Sequence, residues 1–139
     1  MINESDIEAM GYAYYSDPVK LLQTPMDMVR EFARVTDQKP DPDLYENLIE
    51  EEFYEWGEVG LSTDENLDKK EDLKELADIV YVIYGYANAM GYNLDEAIRR
   101  VHRNNLGRCV QQDGTVKRRE DGKIIKNPDY PKVDLSDLV

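Results

Sequence analysis

Two pairs of acidic residues lie where amphipathic helices should carry apolar side chains, and no other feature limits the possible folds as strongly. The first falls in the run Leu48-Ile49-Glu50-Glu51-Glu52-Phe53-Tyr54-Glu55-Trp56, the second in Leu73-Lys74-Glu75-Leu76-Ala77-Asp78-Ile79-Val80. At about 100° per residue, the arc through Leu44, Leu48, Val59, Tyr45, Trp56 and Ile49 covers about 140° of the first helix. Glu52 and Glu55 fall inside it and Glu51 at its edge, while Glu46, Glu50 and Glu58 point away. On the second helix Glu75 and Asp78 share a stripe with Val82, Gly85 and Ala89. Carboxylates on an apolar face are unfavourable without compensation. Four oxygen donors converging between packed helices are what a hard divalent cation needs. The competing reading is surface charge, since 30 acidic residues place some anywhere. The repeat of one i, i+3 spacing on two successive helices argues against it.

A chain of 139 residues suits one domain with a modest core. Its net charge of −13 argues against a nucleic-acid duplex or an anionic membrane as partner. Cys109, the single cysteine, excludes an internal disulfide and a cysteine-cluster zinc site. His102, the single histidine, excludes a two-histidine metal motif and reads as ordinary packing or surface. Met1 to Ala9 lack a basic region and an apolar core, so they do not read as a signal peptide. The stretch Ile79 to Tyr92 is too short and interrupted to span a bilayer. A soluble, cytoplasmic protein is expected.

The chain divides into an N-terminal leader or packing arm over 1–23, a helical domain over 24–108 and a basic tail over 109–139. Thr24, Pro25 and Asp27 form a helix start, and Met28, Val29, Phe32, Ala33 and Val35 are its expected core face. A second helix opens at Asp41-Pro42 and runs to about Val59. A polar connector around Ser62 to Asn66 leads to a third, from about Leu67 to Met90. That helix is apolar nearly all round beyond Ile79, which predicts burial in a bundle centre or a subunit interface. Gly91 stops it, and Asn93 with Glu96 opens a fourth, whose inward stripe is Leu94, Ala97, Ile98 and Val101. Asn105 falls on that stripe and Arg108 beside it. Either both face a polar interior, or the helix frays by Gly107 and they lie on the surface.

In the tail, the turn signals Asp113-Gly114 and Asp121-Gly122 predict a small hairpin or ordered loop. Lys117, Arg118, Arg119, Lys123 and Lys126 make it locally basic, which suits either a phosphate clamp or a solubilising tail. A glycosidase pair would need two isolated carboxyls, and a calcium site a glycine-bearing loop. Magnesium, or manganese in its place, fits rigid helical carboxylates better and leaves positions for water and phosphates. With the basic tail, a nucleoside polyphosphate is the natural substrate. No glycine-rich phosphate loop with its lysine is present, so a P-loop enzyme is excluded.

Glu51-Glu52-Phe53-Tyr54-Glu55 followed by Glu75-Leu76-Ala77-Asp78-Ile79-Val80-Tyr81 resembles the EExxE…ExxD signature of the all-α nucleoside triphosphate pyrophosphohydrolases. That superfamily includes MazG-like enzymes, dimeric dUTPases, dCTP pyrophosphatase and phosphoribosyl-ATP pyrophosphohydrolase. Val101-His102-Arg103-Asn104-Asn105-Leu106-Gly107-Arg108 and the tail are similar to a MazG-like branch common in phages and bacteria, with Asn104 and Arg108 where Ser and Lys are usual. The resemblance implies an all-α, four-helix core assembling as a homodimer or homotetramer. It implies that Glu52, Glu55, Glu75 and Asp78 ligate magnesium and that Glu51 orients or deprotonates the attacking water. Asn105 and Arg108, with Lys117, Lys123 and Lys126, would meet substrate phosphates. The implied reaction converts a (deoxy)nucleoside triphosphate to monophosphate and pyrophosphate, with purine dNTPs favoured. Phosphoribosyl-ATP or dUTP hydrolysis shares the scaffold, and a non-catalytic helical interaction module is the rival from another class.

Overall fold

The computed structural model describes residues 22–60 and 67–139. Most of the leader, and the polar connector expected at Ser62 to Asn66, lie outside the described residues. Thr24 Oγ1 accepts the Asp27 N–H at 3.2 Å, and the Asp27 carboxylate accepts the Thr24 N–H at 3.0 Å. This reciprocal cap opens α1 (Pro25–Val35). Left-handed Asp37 (φ 52°) then turns the chain, and Asp41 Oδ1 takes the Leu44 N–H at 3.1 Å to start α2 (Pro42–Gly60). Asp68 caps α3 (Lys69–Met90), two residues beyond the expected start at Leu67. Gly91 ends α3 with φ 76°, a conformation that costs a residue without Cβ little. Asn93 Oδ1 accepts the Glu96 N–H at 3.2 Å and opens α4 (Leu94–Cys109). The architecture is therefore all-α, with four helices and no strand among the described residues.

α2 and α3 lie antiparallel and are pinned at two points. The Tyr45 ring lies where a side chain at Gly85 would stand, so the helices meet there in direct contact of ring and backbone. Toward the other end Trp56 Nε1 donates to Asp72 Oδ1 at 2.9 Å. Glu52 lies between Tyr45 and Trp56 along α2, and Glu75 and Asp78 lie between Asp72 and Gly85 along α3. The acidic residues are therefore framed by the two pins.

The core brings α1 onto the C-terminal half of α3 through Met26, Val29, Tyr84 and Ala87, with Tyr92 and Leu94 packed against them. This corrects the expected face of α1. Met26, only 1% exposed, heads the inward stripe, whereas Met28, Phe32 and Val35 are exposed. The reason is angular: Met26, Val29 and Ala33 follow i, i+3, i+7 toward α3. Met28 and Phe32 form a second stripe, from which Phe32 reaches Tyr81 edge-on at 5.8 Å. A shallow apolar groove follows that stripe, lined by Met28, Leu73, Leu76, Val80 and Tyr81.

Within one chain, α3 is not covered on all sides. Val82, Tyr84, Gly85 and Ala87 are buried, but Val80, Tyr81, Ile83 and Met90 are exposed. The expected inward stripe of α4 is corrected similarly. Ile98 and Val101 are exposed, because α4 packs on α1 and the C-terminal turn while α2 packs on α3. α4 runs unbroken through Gly107 to Cys109, so it does not fray there. The tail forms two tight loops, each closed by one isolated bridge (Val110 with Val116, Arg118 with Ile124), turning at left-handed Gly114 and Gly122. It is an ordered loop, and it returns along α4 to a 3-10 turn, Ser136–Leu138. No described helix is long and apolar enough to cross a membrane.

Candidate metal centre

Glu75 sits in the N-terminal half of α3 with only 4% of its surface exposed. Glu52 reaches it from α2, and Asp78 from one turn further along α3, both half-buried. One carboxylate oxygen from each lies within 4.8 Å of the others. Oε2 of Glu52 and Oε2 of Glu75 are buried without a hydrogen-bond partner. A buried acceptor left unmatched is costly, and here two of them sit in one cluster of like charges. Burial, followed by the charges of Glu55, Asp78 and Glu75, pushes the Glu52 carboxyl above its usual range. Glu71, one turn before Glu75, is pushed up chiefly by a hydrogen bond shared with Glu75.

Lys74 lies at the rim. Its Nζ stands 2.9 Å from Asp78 Oδ2 and 3.2 Å from Glu75 Oε1. These contacts hold the ammonium above its ordinary pKa, the hydrogen bond to Asp78 contributing most. Three hard anionic donors with two orphaned buried oxygens fit a hard divalent cation of the magnesium type, which favours carboxylate oxygen and keeps positions for water.

Of the four expected ligands, the structure brings Glu52, Glu75 and Asp78 together. Glu55 is exposed, stands outside that cluster and acts on Glu52 through its charge. Glu51 is also exposed, one residue around the helix from Glu52. The expected phosphate contacts lie elsewhere in the chain. Asn105 is exposed, while its neighbour Asn104 donates to the Pro131 carbonyl at 2.8 Å and fastens the tail to α4. Arg108 lines a cavity of about 390 Å³ with Asn104, Asn127 and Tyr130. Lys117 lines another of about 490 Å³ with Gly107 and Asp113, and meets Lys126 in a third. None of the three clustered carboxylates lines these cavities. Lys123 is exposed on the second loop. Arg119 and Arg118 are engaged by Asp121 (2.8 Å) and the Gly122 carbonyl (3.0 Å) of that loop.

Three features of the site escaped the sequence pattern: Lys74, Glu71 and the pairing of Trp56 with Asp72. Lys74 has a sequence signal in its i, i+4 spacing to Asp78. The indole had one too, since a half-buried Trp N–H needs an acceptor.

An all-α chain whose acidic residues converge between two antiparallel helices has the architecture expected of the MazG-like pyrophosphohydrolase superfamily, and the family match places the chain there. The phosphoribosyl-ATP pyrophosphohydrolase family model matches residues 23–105, more than half of the sequence, and the chain belongs to that family. The match takes in α1 to α3, with Glu51, Glu52, Glu55, Glu75 and Asp78, and α4 as far as Asn105, and it stops short of Arg108 and the tail. No curated protein matches the sequence.

Proposed function

We propose that the protein is a magnesium-dependent pyrophosphohydrolase of the deoxynucleotide pool, converting a dNTP to its monophosphate and pyrophosphate. The observation that carries this is the convergence of Glu52, Glu75 and Asp78 around two unpartnered buried oxygens in a chain of this family. These three, joined by Glu55, would hold the ion. When bound, magnesium supplies charge to neutralise the phosphates and to acidify a coordinated water. Glu51, exposed beside the cluster, takes the proton as water adds to phosphorus and the α–β anhydride bond breaks. The preference for dGTP or dATP rests on the similarity of the α4 end and tail to phage-type MazG-like proteins.

Asn105, Arg108, Lys117, Lys123 and Lys126 are assigned to the phosphates. Because they lie apart from the carboxylates in one chain, this assignment requires a second copy to deliver them. The exposed apolar residues of α3 and α4 support assembly as a dimer or tetramer. A second reading, phosphoribosyl-ATP as substrate, is favoured by the family match itself. A panel of dNTPs, NTPs and phosphoribosyl-ATP with magnesium, scored for monophosphate, pyrophosphate and orthophosphate, decides between them. Pyrophosphate from a purine dNTP is expected; orthophosphate as first product overturns the reaction, and turnover of phosphoribosyl-ATP alone overturns the substrate.

A further inference from the structure

Lys74 has a place in this site that the acidic motif alone does not require. Its ammonium contacts two of the three convergent carboxylates, at 2.9 Å and 3.2 Å. Its charge is also felt by Glu52, across on α2, and by Glu71, one turn back on α3. One lysine thus serves four carboxylates on two helices. It still leaves Oε2 of Glu52 and of Glu75 without a partner, so it neutralises the cluster only in part. The side chain is 57% exposed, on a flexible four-carbon stem whose three donors can turn outward.

A divalent ion ligated by Glu75 and Asp78 competes with this ammonium for the same carboxyl groups, and the two like charges repel at that range. We propose that Lys74 is a displaceable counter-cation of the carboxylate cluster and, once displaced, a binding residue for the phosphates of the metal-bound nucleotide. This rests on the metal-dependent reading above. The α-carbon of Lys74 lies next to Glu75, so an ammonium swung away from the carboxylates stays at the mouth of the site. There it would be free to meet a phosphate of the nucleotide that binds with the ion. A compact ammonium suits this role, since it neutralises phosphate as a point charge without a fixed binding plane. The arrangement is self-timed: the ion that recruits the nucleotide also frees the lysine that grips it.

The test compares wild type, Lys74→Met and Lys74→Arg, with Lys74→Gln as a second neutral variant should the Met protein misfold. Magnesium and manganese are titrated calorimetrically into nucleotide-free protein. KM and kcat are then measured at saturating magnesium on the nucleotide that wild type turns over. Lys74→Met should bind the ion about tenfold more tightly, because a competing charge is gone. Its KM should rise about tenfold, from loss of a charge-assisted phosphate contact, with a smaller change in kcat. Lys74→Arg should keep ion affinity near wild type and recover most of the KM. Unchanged or weaker ion binding in the Met variant overturns the counter-cation role, and an unchanged KM overturns the phosphate role. Wild type that binds neither ion overturns the metal reading itself, an outcome separate from failure of either role.

Discussion

Two charged clusters in this molecule are built to opposite rules. Beside the 3-10 turn, Arg100 on α4 is engaged by Glu96, Asp137 and the Asp134 carbonyl. Its two terminal nitrogens meet Asp137 at 2.6 and 2.9 Å, its Nε meets Glu96 at 3.2 Å, and Nη1 also donates to the Asp134 carbonyl at 3.1 Å. The Arg100 guanidinium holds the Asp137 and Glu96 carboxyls below their usual range. Between α2 and α3 the balance reverses. Three carboxylates converge, one lysine contacts two of them, two oxygens are orphaned, and Glu52 and Glu71 are pushed above their usual range. The charges around Arg100 are matched by partners within the chain, whereas those between α2 and α3 are matched only in part.

The largest test of this contrast is removal of the most buried acid. Glu75→Gln should lower turnover by at least about 10³-fold and abolish the stabilisation by magnesium that binding to the folded state alone would confer. Turnover and thermal melts with and without the ion check it. Glu51→Gln should lower kcat by about 10²- to 10⁴-fold while ion affinity stays near wild type, because a general base acts in the chemical step. Near-normal turnover would remove Glu51 from the mechanism.

The contrast is sharpest as a difference in sign. Without metal, Glu52→Gln should melt above wild type, since it removes a repelled and partly buried charge. Asp137→Asn should melt below wild type and leave ion binding unchanged. Their pH dependences should diverge as well. A carboxyl raised in the folded state, such as Glu52, contributes stability that is present below its unfolded pKa and lost as pH rises through the folded value. The advantage of Glu52→Gln should therefore be largest near neutrality and shrink as pH falls toward the ordinary carboxyl range. For Asp137, lowered in the folded state, the contribution is present above the unfolded pKa and lost as pH falls through the folded one. The deficit of Asp137→Asn should hold down to about pH 4 and vanish below it. Melts of both variants across that range decide the matter; shifts of the same sign would sink the distinction.

The smallest expected effect is at the pin near the α2 terminus. Trp56→Phe removes one hydrogen bond and should cost about 1 kcal/mol, read by denaturant unfolding, with a modest loss of ion affinity. Full affinity would mean that Trp56 does not position Glu52.

Helix boundaries were legible where a local signal marks them, at the Thr24 and Asn93 caps, Gly91 and the Asp41-Pro42 start, and less so at the Asp68 cap and the end of α4. Glu52, Glu75 and Asp78 were legible because helical periodicity places side chains by angle. What periodicity does not hold is which side of an apolar helix meets which neighbour. Periodicity alone does not single out buried Met26 or leave Ile98 and Val101 exposed, because each of these helices carries more apolar surface than one chain covers. Lys74 was hidden for another reason. A lysine among acids looks like surface charge until the rotamer that folds it back onto Asp78 is seen. The separation of Arg108 and Lys117 from the carboxylates was equally out of reach, since it depends on the course α4 takes away from α3.

The Tyr45–Gly85 contact and the Trp56–Asp72 bond together have a kinetic consequence. They settle the distance and register of α2 and α3 as the protein folds, so the acidic side chains face one another before any ion arrives. If an ion loads here as proposed, the step would demand little of the helices and much of the ion, which must shed part of its hydration shell. Magnesium gives up its water reluctantly. Its association should be slow and nearly insensitive to solvent viscosity, governed by departing water and not by moving helices.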